Sequence, residues 1–72
     1  MVDNFKIGSK HFSQSEWIGL TIEDAIKKSE TEGLTWRIVE EDGMSRISTR
    51  DLKANRVNFR IRDKKIYRAF IG

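Results

Sequence analysis

The sequence predicts an α+β domain, one helix followed by about three strands, with a long exposed loop between the first two main strands. Three observations predict it. Ile22, Ala25, Ile26 and Ser29 fall at i, i+3, i+4 and i+7, the spacing that lays a narrow apolar stripe along a helix. Val57, Phe59 and Ile61 alternate with Arg56, Asn58, Arg60 and Arg62, the period of a strand with one buried face. Between Glu41 and Asn55 neither period holds, which leaves a connection longer than compact domains ordinarily use.

The chain has 72 residues, so it forms one small domain that buries only about 60% of the surface its unfolded form exposes. A large enzyme cleft is not expected. It has no cysteine, so no disulfide or thiolate metal site staples the core. Fourteen basic residues stand against 11 acidic ones, a net charge of +3, with the signs interspersed. That balance only weakly favours a polyanionic partner. No apolar run approaches the roughly 20 residues of a membrane span, and MVDNFKIGSKHF lacks the basic start and apolar stretch of a secretory signal. The expectation is a soluble chain, compartment undetermined, with no membrane partner.

Residues 1–14 mix charge, glycine and isolated apolar residues without a period and read as a loose arm; 15–72 form the domain. Trp17, Ile18 and Leu20 begin the core. Thr21 with Asp24 three residues on resembles a capping box and opens a helix from Ile22 to about Glu32. Glu23 with Lys27 and Asp24 with Lys28 are spaced to pair along it. Gly33 is placed to stop the helix in the left-handed region, and Leu34 to Glu40 is a β-rich run. Lys65 to Ile71 reads as the last strand, reached through a tight turn at Asp63 and Lys64. Both tryptophans, Trp17 and Trp36, are assigned to the core, and Met44, Ile47 and Leu52 are expected to anchor the long connection.

No catalytic constellation is visible, and an enzyme is not expected. The one histidine, His11, lies in the arm, where nothing holds a nucleophile and base in fixed geometry. Glu40, Glu41 and Asp42 are a solvated strand end rather than a metal site, and no cofactor is called for.

The segment TRDLKANRVNF carries more information. Together with Trp17 ahead of a helix opened by TIEDA, the strand after Gly33 and the closing IG, it resembles the potato inhibitor I family of serine protease inhibitors. The likeness covers about Ser15 to Gly72, and the order Arg56, Val57, Asn58 is closer to bacterial relatives with a longer binding loop. The resemblance implies one helix on a small mixed sheet, with the strand from Leu34 parallel to that from Arg56 and the last strand antiparallel. It implies a reactive-site loop of Ser48, Thr49, Arg50, Asp51 and Leu52 with its scissile bond between Arg50 and Asp51, and loop support from Arg56 and Asn58. The family loop is often apolar where Ser48 stands here, and many members place a basic side chain at the position of Phe70.

An extended loop held in its bound shape beforehand loses less entropy on entering a protease cleft. Arg56 and Asn58, two apart on a strand, share a face and can donate hydrogen bonds to loop carbonyls or to Thr49 and Asp51. A long cation at Arg50 calls for a trypsin-like serine protease with a carboxylate in its first pocket. A monomer is expected. The alternative is a basic module for nucleic acid or an acidic partner, built on Arg56, Arg60, Arg62, Lys64, Lys65 and Arg68, although no single-strand-binding motif with stacking aromatics is visible.

Overall fold

The computed structural model describes residues 12–46 and 50–72. The expectations placed on the arm as far as His11, and on Ile47, Ser48 and Thr49, lie outside the described residues. A short 3-10 helix, Gln14–Glu16, leads to α1, Ile22–Thr31. Four strands follow: β1 Thr35–Glu41, β2 Met44–Ser45, β3 Arg56–Arg62 and β4 Lys65–Ile71. They form one sheet in the order β2-β1-β3-β4. β1 and β3 run parallel, and the other two pairs are antiparallel. The fold is a small α+β domain, one helix on a four-stranded mixed sheet.

Local chemistry sets both ends of α1. Thr21 is extended at the N-cap and its Oγ1 accepts from the Asp24 amide at 3.1 Å, satisfying one of the helix's orphan donors. At the other end Gly33, with φ +73°, turns the chain so that its own amide donates to Glu30 and the Leu34 amide donates to Ser29. This is a Schellman closure, and it needs a residue without a Cβ penalty in the left-handed region. Ala25 and Ser29 form the buried stripe, Ser29 returning its hydroxyl to the Ala25 carbonyl at 2.8 Å. Lys28 does not pair with Asp24; its Nζ lies 2.5 Å from Glu32 and 3.3 Å from Glu16, and 5.1 Å from the Trp17 ring centroid. These contacts tie the 3-10 helix to α1.

Trp17, Val57, Phe59, Ile61, Ile66 and Ala69 fill the space between helix and sheet, each at most 2% exposed. Trp17 is the centrepiece, with its ring 5.5 Å from Phe59 and 5.8 Å from Phe12. The arm is therefore packed at its end: Phe12 stacks on Trp17, and the Gln14 side chain accepts from the Ala69 amide at 3.0 Å. Gly19, Leu20 and Thr21 pair with the start of β4, which covers part of that edge strand.

Other expectations are corrected. The connection after β1 is not irregular at its start, because Asp42 and Gly43, at φ 51° and 83°, form a tight two-residue hairpin into β2. Trp36 is 38% exposed: it lies on the helix-facing side beside Val57, but a ten-residue helix, about 15 Å long, cannot roof the whole sheet. Met44 and Leu52, at 73% and 86% exposed, are not buried anchors of the connection. No helix among the described residues is long and apolar enough to cross a membrane.

Candidate functional site

The long loop is pinned at both ends. After β2 the Arg46 amide donates to the Val39 carbonyl at 2.9 Å, and the Arg46 guanidinium pairs with Glu41. Before β3 the Asn55 carbonyl accepts from the Thr35 amide at 2.8 Å and from its hydroxyl at 3.2 Å. The parallel register, Thr35 opposite Arg56, fixes the second pin. Every residue from Arg50 to Asn55 is exposed.

Beneath this exposed stretch lies a buried cation. Arg56, the first residue of β3, is only 8% exposed. Its Nη2 donates to the Asp51 carbonyl at 2.8 Å, its Nη1 is 3.6 Å from the Asp51 carboxylate, and its Nε donates to the Gly72 backbone oxygen at 2.8 Å. The Gly72 amide in turn donates to the Arg56 carbonyl at 3.0 Å. One planar guanidinium thus ties the loop to the end of β4, a task that needs several donors in a fixed fork.

Asn58 is fully buried, although the alternation of β3 puts it on the face away from the core. Both its amide hydrogens go to β4 and its end, to the Phe70 carbonyl at 3.2 Å and the Gly72 oxygen at 3.0 Å, and its Oδ1 accepts from Arg37 Nε at 2.8 Å. Among the described residues its contacts are with the neighbouring strands, and no described loop carbonyl accepts from it. The reason is reach: Asn58 lies about 7 Å farther along the strand than Arg56, and its side chain is short. It acts on the loop at one remove, through the Gly72 oxygen it shares with Arg56. Arg37 and Gly72 are participants that sequence reasoning did not single out. The cross-strand registers, Arg37 opposite Asn58 opposite Phe70, were the information needed, and one sequence does not display them.

The acidic cluster does not converge. Glu40 accepts from the Tyr67 hydroxyl at 2.6 Å and lies 3.7 Å from Arg60, Glu41 faces Arg46, and the Asp42 carboxylate accepts from the Asp63 amide at 2.8 Å. Among the described residues no group of acidic, histidine or cysteine side chains could hold a metal ion. The hydrogen bond to Glu40, with burial and the nearby charge adding to it, raises the Tyr67 pKa above the ordinary 10.0. The folded state therefore favours the neutral phenol. That contribution to stability is complete below the ordinary tyrosine pKa and is lost only as pH rises through the raised value, so it is constant around neutrality. Tyr67 is the only tyrosine, so tyrosinate absorbance reads it alone. Its titration midpoint should lie above that of free tyrosine, and Glu40→Gln should bring it down. A midpoint at or below the free value would contradict the bond.

No family model, curated protein or solved structure matches this chain.

Proposed function

We propose that this protein inhibits trypsin-like serine proteases by presenting the bond between Arg50 and Asp51 as a substrate that is held rather than released, in the manner of potato inhibitor I proteins. The observation that carries the reading is the buried Arg56 bonded to Asp51 from beneath an otherwise exposed loop. A charged side chain taken almost wholly out of water needs good hydrogen bonds in return, and these make Asp51 the fixed point of the loop.

Arg50, one residue before that fixed point, extends into solvent, where a protease pocket with a buried carboxylate can receive it. Attack by the protease serine on the Arg50 carbonyl breaks the bond to the Asp51 nitrogen and leaves an ester and a free amine. Arg56 holds the residue that carries this amine beside the ester. The amine then competes with water for the acyl group, and rejoining the peptide restores the intact inhibitor.

The test is a titration of trypsin with the intact protein. Activity should fall linearly to near zero at equimolar inhibitor, and Arg50→Leu should transfer inhibition to proteases with apolar first pockets. That substitution should change stability by no more than about 0.5 kcal/mol, because the site is exposed. Undiminished trypsin activity at molar excess would end this reading.

A further inference from the structure

The face of the sheet turned away from α1 has a character unlike the loop. On β3 it carries Arg60 and Arg62, and on β4 Arg68 and Phe70, all exposed. Arg60 and Arg68 are directly opposite in the antiparallel register. Like charges in that position disfavour the pairing unless something neutralises them. Glu40 lies 3.7 Å from Arg60, but Arg62 and Arg68 meet no carboxylate among the described residues. Arg56, which the sequence placed in this basic patch, turns to Asp51 and Gly72 and does not contribute.

Two flat groups border the cations. The register skips Tyr67, pairing Ile61 with Ile66 and Arg60 with Arg68, so Tyr67 is an extra residue in β4. That bulge brings the tyrosine ring to the arginine face, where the Arg62 guanidinium lies 4.5 Å above its centroid. At the other end the Phe70 ring is 39% exposed. From Arg62 to the Asn58–Phe70 pair is four residues of strand, about 14 Å, room for two or three nucleotides.

We propose that this face binds single-stranded nucleic acid, with Arg60, Arg62 and Arg68 taking phosphates and the Arg62–Tyr67 stack and Phe70 receiving bases. The cations alone would suit any polyanion. The flat groups at both ends favour a ligand that has aromatic faces of its own, which an acidic peptide lacks. A guanidinium already laid over a ring offers its outer face to a base, and its edge matches a phosphate.

The experiment is fluorescence anisotropy of labelled oligothymidylate with the full chain at low salt and then across a salt series. Two or three phosphates contacted predict a double-logarithmic slope of about −1.4 to −2.1, so that raising salt about fourfold weakens binding roughly 7- to 20-fold. Arg62→Glu with Arg68→Glu should abolish binding. Arg62→Glu alone should weaken it, and Lys27→Glu, the same change in net charge on α1 and away from this face, should retain it. Phe70→Ala should weaken it by about 5- to 150-fold. Absence of binding at low salt, equal loss in Arg62→Glu and Lys27→Glu, equal competition by polyglutamate, or a Phe70→Ala variant that binds like the parent would each overturn the proposal. Trypsin inhibition should be unaffected by the Arg62 and Arg68 changes, so the two activities are read separately.

Discussion

Asn58→Ala should lower the unfolding free energy by roughly 2–4 kcal/mol, as read by denaturant titration. The side chain is wholly buried and makes three hydrogen bonds to Arg37, Phe70 and Gly72. Removing it takes the acceptor from Arg37 Nε and the donors from the Phe70 and Gly72 oxygens in a partly buried site. Unsatisfied buried groups cost more than a hydrogen bond contributes when made. Asn58→Asp separates this explanation from simple loss of volume. An aspartate could still accept from Arg37, but it would put a carboxylate oxygen against two backbone oxygens, so at neutral pH it should be worse than alanine. An alanine variant within about 0.5 kcal/mol of the parent would mean that these bonds contribute little.

Arg56→Ala should act on the loop more than on the core. The core side chains Val57, Phe59 and Ile61 point the other way, and the Gly72 oxygen keeps its bond from Asn58. What is lost is the donor to the Asp51 carbonyl and the cation beside its carboxylate. A charge-assisted hydrogen bond of this kind contributes about 1.5 to 3 kcal/mol, so trypsin inhibition should weaken by roughly one to two powers of ten, with cleavage after Arg50 correspondingly faster. Arg56→Lys should recover only part of the effect, because an ammonium cannot span Asp51 and Gly72 with a planar fork. Thermal unfolding of the same variants shows whether the domain stays folded. Parent-like inhibition and parent-like resistance to cleavage in Arg56→Ala would show that something else holds the loop.

Much of the scaffold was legible because it rests on local chemistry. Thr21 and Asp24 mark the start of α1 and Gly33 its end, since caps depend on residues within one helical turn. The alternation in β3 is likewise local. The hairpin into β2 was harder to see: Asp42–Gly43 is a strong turn signal, but β2 has only two residues, too few for any period to register. Bulges defeat periodicity altogether. Strict alternation in β4 would put Ile66, Arg68 and Phe70 on one face, whereas the extra residue Tyr67 lets Ile66 join Ala69 in the core while Arg68 and Phe70 face outward.

The candidate site divides along the same line. The sequence singled out Arg56 and Asp51 as neighbours of a loop and a strand, and five residues of separation make that contact almost local. The role of Gly72 as shared acceptor, 16 residues from Arg56, depends on how β4 returns alongside β3. Asn58 was read as support for the loop because alternation tells only which face a side chain takes. Whether that face is open depends on what the neighbouring strands place over it, here Arg37 and Phe70.

Cleavage mapping tests the central claim most directly. The intact protein is incubated with a catalytic amount of trypsin until a product accumulates, and the product's fragments are identified by mass. A loop that presents Arg50 and holds Asp51 predicts one slow primary cut, giving a fragment that ends at Arg50 and another that begins at Asp51, still associated under native conditions. Early cuts at several lysines and arginines, or a first cut anywhere else with Arg50–Asp51 intact, would contradict it.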